Sequence, residues 1–356
     1  MLRVPLPLSA DLRLPSAPRT PHPALLDTFG RIHNNLRISV TDRCNLRCTY
    51  CMPEDVEFLH RSELLSFEEI AAFVRVAAEL GIDKVRLTGG EPLMRRDLPE
   101  LVRMIAGIPG IRDIGLTTNG LLLEKHAQPL FEAGLGRLNV SLDTLDEGRF
   151  FELSRRDGLP QVLAGLAAAK RAGFHPIKVN AVAIRGFIDH DAVPLARYCR
   201  EMGFELRFIE SMPIGAEAWE REKVVFAAEL QALLSREVSP LVPHWMGSGK
   251  NGGEESAPAV DFDYADGCGR VGFIASVSQP FCGSCNRLRL TADGKLRNCL
   301  FARDEVDVKG LLRTTPLDAE ALKDAIRANV WAKWEGHEIN SPHFVKPDRT
   351  MHAIGG

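Results

Sequence analysis

Arg137-Leu138-Asn139-Val140-Ser141-Leu142-Asp143 carries a polar side chain at every odd position and an aliphatic one at every even position. Side chains of an extended strand point alternately to opposite faces, so this stretch reads as a strand with one hydrogen-bonding face and one apolar face. The same alternation returns on either side of it. Arg37, Ser39 and Thr41 share a face, as do Lys84, Arg86 and Thr88; Lys178 goes with Asn180, and Glu205 with Arg207. Candidate strands fall over 36–40, 84–88, 113–117, 137–142, 177–183 and 204–209, with helical stretches between them. That is the rhythm of βα units and a parallel sheet. A filled eight-stranded barrel packs bulky branched side chains inside. Here outer helices take the apolar faces, so the polar faces are left to line an open lumen. The expected fold is α/β: a partial (βα)6 TIM-type barrel with a C-terminal α+β region covering the open side.

The helices have legible ends. Ser66 with Glu69 forms a capping box and Gly81 closes that helix, while Asp97 with Glu100 predicts a second box. Further helices are expected near 124–133, 160–172 and 190–202. After Ile214 the pattern changes to an amphipathic helix near 226–238 and a Gly, Ser and Glu stretch over 247–256 that reads as a mobile loop. Short strands follow near 260–264, 270–277, 287–291 and 295–299, with Asp293-Gly294 as a hairpin turn, then a helix over 316–330. The expected organisation is a flexible Pro- and Arg-containing leader over 1–30, a barrel over 31–225 and a C-terminal domain over 226–356.

Of the 356 residues 45% are hydrophobic and 26% charged, which suits a globular protein. No apolar run reaches the roughly 18 residues of a membrane span. With 44 basic and 47 acidic residues the net charge is -3, so no general field holds nucleic acid or an anionic membrane. An anionic ligand must be met by a local cluster of cations.

Six of the eight cysteines fall in two groups, Cys44-x3-Cys48-x2-Cys51 and Cys282-x2-Cys285-x13-Cys299. No secretory apolar segment precedes them, so a reducing compartment, the cytoplasm, and metal ligation are expected rather than disulfides. The first group follows the first strand and brings three thiolates to the C-terminal mouth of the barrel. A four-iron cubane held by three cysteines keeps one iron open for an amine and a carboxylate. Structural zinc takes four ligands, and on spacing alone zinc completed by His33 or His60 stays open. For the second group a zinc knuckle would need Cys268. A second cluster beside Arg287-Leu288-Arg289 would instead suit an anionic ligand. Cys199, inside an amphipathic helix, reads as a buried thiol.

In context, Arg37-Ile-Ser-Val-Thr-Asp-Arg-Cys44-Asn-Leu-Arg-Cys48-Thr-Tyr-Cys51 resembles the signature of the radical S-adenosylmethionine superfamily. The resemblance continues through Arg86-Leu-Thr-Gly-Gly-Glu-Pro-Leu93, Leu116-Thr-Thr-Asn-Gly120, Asn139-Val-Ser-Leu-Asp143, Glu210-Ser-Met-Pro-Ile-Gly215, Cys282-x2-Cys285-Asn-Arg-Leu-Arg-Leu290 and Met351-His-Ala-Ile-Gly-Gly356. Over 31–356 the chain thus resembles the GTP 3',8-cyclase family, lyases that open molybdenum cofactor (molybdopterin) biosynthesis.

That resemblance implies two 4Fe-4S clusters and S-adenosylmethionine as cofactors. Cys44, Cys48 and Cys51 would hold the first cluster, and Tyr50, Gly90, Ser141 and Met212 would contact S-adenosylmethionine. GTP would meet Arg37, Arg86, Thr117, Lys178, Arg287 and Arg289, with Lys84, Asn180 and Arg207 as lumen neighbours. Cys282, Cys285 and Cys299 would hold the second cluster, whose open iron takes the purine. The implied reaction is reductive cleavage of S-adenosylmethionine to a 5'-deoxyadenosyl radical, loss of the ribose C3' hydrogen of GTP, and C3'–C8 bond formation. Gly355 and Gly356 would thread a tail tip lacking side chains towards Arg86 or Arg289. The residues agree with this: a triphosphate of about four negative charges needs several converging cations, and the named cations outnumber Glu91, Asp143 and Glu205. Implied partners are an electron donor and the next enzyme of molybdopterin synthesis; a homodimer is admitted but not required. Two alternatives stand beside this one, a peptide-modifying radical enzyme with an auxiliary cluster and a zinc-binding regulatory module.

Overall fold

A computed structural model describes residues 24–215, 218–244 and 257–355. The loop expected over 247–256, the leader up to residue 23 and Gly356 lie outside the described residues. The leader's boundary at 30 is corrected, because β1 (Leu25–Leu26) and β2 (Ile32–His33) pair antiparallel as a ribbon. The ribbon turns on buried Asp27, whose Oδ1 accepts from the backbone of Phe29 and Arg31 at 2.9 and 3.0 Å. Its Oδ2 accepts from Arg31 Nε at 2.5 Å, and Gly30 supplies the positive φ of 78° that the turn requires.

Six parallel strands follow as the alternation predicts: β3 (Asn35–Ser39), β4 (Lys84–Thr88), β5 (Asp113–Thr118), β6 (Arg137–Ser141), β7 (Ile177–Ala183) and β8 (Glu205–Glu210). Leu36, Ile38, Val85, Leu87, Leu138, Val140, Val179 and Leu206 bury one face against the outer helices. The C-terminal strands are β9 (Leu241–Pro243), β10 (Val260–Tyr264), β11 (Arg270–Ile274), β12 (Arg287–Leu290), β13 (Lys295–Arg297) and β14 (Val306–Asp307). They do not form a separate layer. The sheet runs β14-β13-β12-β3-β4-β5-β6-β7-β8-β11-β10-β9, with β12 parallel to β3 and β11 parallel to β8. A partial barrel exposes two edges of unpaired backbone groups, and the C-terminal region closes the open side by pairing with both.

The helices are α1 (Phe67–Glu79), α2 (Leu98–Ala106), α3 (Leu123–Glu132), α4 (Glu147–Ser154), α5 (Leu159–Ala172), α6 (Ile188–Met202), α7 (Ala227–Glu237), α8 (Lys309–Leu312), α9 (Ala319–Trp331) and α10 (Met351–Ile354). The capping box at α1 forms: Ser66 Oγ accepts from Glu69 N at 3.2 Å, and Glu69 Oε2 accepts from Ser66 N at 2.7 Å. The box expected at Asp97 does not, since Asp97 is left-handed at φ 60° and its side chain caps nothing. Short α4 and α10 were not expected. Turn residues 291–294 join β12 to β13, with Gly294 at φ 79°, as Asp293-Gly294 predicts.

Candidate active site

A cavity of about 560 Å³ runs inside the barrel, from residues that begin strands, such as Asn35 and Arg137, to residues that end them, such as Ser141 and Glu210, and is lined by both halves of the chain. It gathers Cys44, Cys48 and Cys51 at one end and Cys282, Cys285 and Cys299 at the other. Arg37, Arg86, Thr117, Lys178, Asn180, Arg207, Arg287 and Arg289 also line it, as do Tyr50, Gly90, Ser141 and Met212. Lys84, which begins β4 beside Asn35, is not among the residues that line it.

The first trio sits on the loop after β3. Leu46 N donates to Cys44 Sγ at 3.4 Å, and Asn119 Nδ2 donates to it at 3.8 Å. Burial pushes the Cys44 and Cys51 thiols up to about 11 and about 12, and also raises the Cys48 thiol well above its ordinary value. Metal binding there would release the protons. Tyr50 Oη donates to Asp143 Oδ2 at 2.6 Å, and Asp143 Oδ1 accepts from Val182 N at 2.7 Å, so the ring is fixed from β6 and β7. A Cβ on Gly90 would fall on the Asp42 and Arg43 carbonyls, which explains glycine where two loops touch.

The second trio lies among cations. Arg287 Nε reaches Cys285 Sγ at 3.3 Å and Lys333 Nζ reaches it at 3.5 Å. Burial alone would push this thiol up, but Arg287 and Lys333 draw it down to about 5. Neither trio is completed for zinc by the residues considered. His33 Nε2 is 2.9 Å from Asp27, His60 Nδ1 is 2.8 Å from Ser62, and Cys268 is exposed in the turn between β10 and β11. Among the described residues no three His, Cys, Asp or Glu side chains gather around one point as a single ion requires. Three thiolates spread over the corners of a cubane fit these trios better.

Between the trios the lining is strongly cationic. Burial, then the charges of Arg289, Arg287 and Arg86, push Arg37 well below the ordinary arginine value. Such crowding of like charges asks for an anion. Nε of Arg37, Arg207 and Arg289 and Oδ1 of Asn180 are buried without a hydrogen-bond partner among the described residues. Lys178 is drawn down by burial and by Arg207, although Glu205 lies 3.3 Å away. Gly115 leaves room for Arg86 to lie across β5, since a Cβ there would sit 3.2 Å from the guanidinium. Orphaned donors and repelling guanidinium groups fit a polyphosphate.

The GTP 3',8-cyclase of Rhodopirellula baltica is 48% identical over 338 residues, spanning 94% of this chain and 92% of that protein. That of Mycolicibacterium smegmatis is 50% identical over 353 residues, spanning 96% and 95%. The chain belongs to the GTP 3',8-cyclase family. Within it, residues 38–199 match the Radical SAM superfamily and residues 204–339 match Molybdenum Cofactor Synthesis C. The solved structure of Streptococcus suis SuiB bound to S-adenosylmethionine shares the fold, with a TM-score of 0.57 and 16% identity over 89% of this chain and 77% of that chain.

Several residues of the site were not singled out from the sequence. Glu210 ends β8 buried, its carboxylate accepting from Ala227, Val277 and Ser278 backbone at 3.0, 2.8 and 2.7 Å. It ties the barrel to α7 and to the segment leading to the second trio. Asn119, Arg31 and Lys333 also belong to the lining. Asn119 was inside a quoted motif; Arg31 and Lys333 had no local signal, because only the fold brings them to the cysteines.

Proposed function

We infer that the protein is a GTP 3',8-cyclase, a radical S-adenosylmethionine lyase catalysing the first step of molybdenum cofactor biosynthesis. The observation that carries the assignment of its site is the placement of four arginines, Arg37, Arg86, Arg287 and Arg289, between two cysteine trios in one cavity. Cys44, Cys48 and Cys51 would hold the cluster that binds S-adenosylmethionine, and Cys282, Cys285 and Cys299 the cluster that meets the guanine. When bound, the first cluster and S-adenosylmethionine supply the hydrogen-abstracting radical chemistry that joins C3' of GTP to C8.

The chain's own work is to bind, orient and exclude water. Tyr50, held by Asp143, presents a fixed ring to the cofactor, with Gly90, Ser141 and Met212 at the strand ends around it. The arginines, with Lys178 and Thr117, would grip the nucleotide through its phosphates and ribose, and Asn180 and Arg207 would complete that grip. Held between two fixed ends, the ribose is brought to the reactive centre at high effective concentration. A one-electron donor must reach the first cluster, and the next enzyme of molybdopterin synthesis consumes the product. All eight cysteines are free thiols, which suits a cytoplasmic location.

Two variants test the assignment of the trios. Cys48→Ala should abolish S-adenosylmethionine cleavage and lower iron by about half, because the second site is separate. Cys285→Ala should keep uncoupled cleavage and lose cyclisation. Iron analysis with chromatography of 5'-deoxyadenosine checks both, and loss of the same activities and all iron in each variant would contradict two sites.

A further inference from the structure

Lys333, two residues beyond α9, is only 4% exposed. Its Nζ donates to the Arg287 carbonyl at 3.0 Å and to Cys285 Sγ at 3.5 Å, and no carboxylate lies within ion-pair reach among the described residues. A buried ammonium is costly unless an anion faces it. Among the described residues the Cys285 and Cys299 thiols are the acidic groups that act on it, and Cys285 Sγ, within hydrogen-bond distance, would be its anion as a thiolate bound to metal. The position of the lysine is set by its neighbours: Arg31 donates to the carbonyls of Trp334 and Glu335 at 2.6 and 2.7 Å, and to that of Cys282 at 2.8 Å. One guanidinium, itself held by Asp27, thus pins both the backbone after Lys333 and the Cys282 loop. At the first trio the hydrogen bonds to Cys44 Sγ among the described residues come from the neutral Leu46 amide and Asn119, and the nearby cation, Arg47, donates to the Cys44 carbonyl instead.

We propose that Lys333, beside Arg287, is a counter-cation of the second iron-sulfur cluster and raises its reduction potential through an N–H···S hydrogen bond to Cys285. The proposal rests on the reading that Cys282, Cys285 and Cys299 hold that cluster. Reduction adds one electron to the cluster, with no bond formed or broken. An ammonium at a ligand sulfur stabilises the added negative charge and so favours the reduced form. Lys333 is a positioning and tuning residue here, distinct from the arginines that grip GTP.

The test uses full-length protein carrying Cys44→Ala, Cys48→Ala and Cys51→Ala, so that the remaining iron belongs to the second site. Without nucleotide, a dithionite titration followed by electron paramagnetic resonance is run on this parent, on Lys333→Met and on Lys333→Arg. At equal iron content the midpoint should move negative in Lys333→Met and return towards the parent in Lys333→Arg. Equal midpoints in parent and Lys333→Met overturn the proposal. In the parent grown with nitrogen-15 lysine, the reduced cluster should show a nitrogen hyperfine coupling. Absence of that coupling overturns the proposal even where Lys333→Met takes up no iron. A parent without iron overturns the cluster reading, and the proposal falls with it.

Discussion

Among the acids of the lumen, position decides role. Asp143 goes to Tyr50 and Glu205 goes to Lys178, while Glu91 is fully buried and forms no ion pair among the described residues. Its carboxylate accepts from Leu93 N at 2.9 Å, Thr118 Oγ1 at 2.7 Å and Asn119 N at 2.7 Å. Burial outweighs these donors and raises its pKa from 4.5 to about 7. The folded protein therefore keeps this proton to a higher pH than the unfolded chain. The stability it contributes is fully present below pH 4.5 and is lost as pH rises through about 7. At ~1.4 kcal/mol per pH unit the loss reaches about 3 kcal/mol. Denaturant unfolding of the apoprotein should show wild type losing stability across that window while Glu91→Gln stays flatter; parallel profiles would contradict it. The sequence showed Asp143 and Glu91 as possible partners of the lumen cations, and it could not show that a tyrosine claims the first, and two backbone amides and a threonine hydroxyl the second.

At the scale of elements, alternation carried the barrel, because a period of two with one polar face leaves few alternatives once helices intervene. Lys84–Thr88 and Ile177–Ala183 begin and end where that pattern does. The short helix α4 escaped because its Asp146 cap, which accepts from Arg149 N at 2.8 Å, precedes only two turns. The helix α10 in the tail escaped for a different reason: its order comes from distant contacts. Arg349 donates to Asp293 at 3.1 and 2.8 Å and lies 2.9 Å from Glu305, which delivers α10 to the barrel. Met351 and His352 then line the cavity, and Gly355, at φ 79°, is buried against Ser39 and Thr88. A Cβ on Gly355 would stand 2.7 Å from Thr88 Oγ1 and 2.8 Å from Ser39 Cβ. We expect Gly355→Ala, like deletion of Gly355 and Gly356, to cut cyclised nucleotide by roughly tenfold or more through lost alignment. Iron content and GTP binding should stay near wild type in both, and full turnover would show the tail to be dispensable.

Over the whole molecule, chemistry depends on two distant sequence regions meeting across one sheet. β12 pairs with β3 in register, Arg287 beside Asn35 and Arg289 beside Arg37, and this sets the second trio's strand against the first strand of the barrel. The thiol groups and the cation set were legible as local patterns. That the C-terminal strands would extend both edges of the sheet was not, because pairing of Arg287 with Asn35 at one edge and of Val271 with Leu206 at the other joins strands far apart in the chain and leaves no periodic trace. On this reading the cavity brings the ribose C3' of GTP to the radical source. The direct measurement is anaerobic turnover of wild type with S-adenosylmethionine, dithionite and GTP deuterated at C3', followed by mass analysis of the 5'-deoxyadenosine. Deuterium should appear in the 5'-deoxyadenosine together with a cyclised nucleotide that has lost it from C3'. Unlabelled 5'-deoxyadenosine beside intact GTP would contradict it.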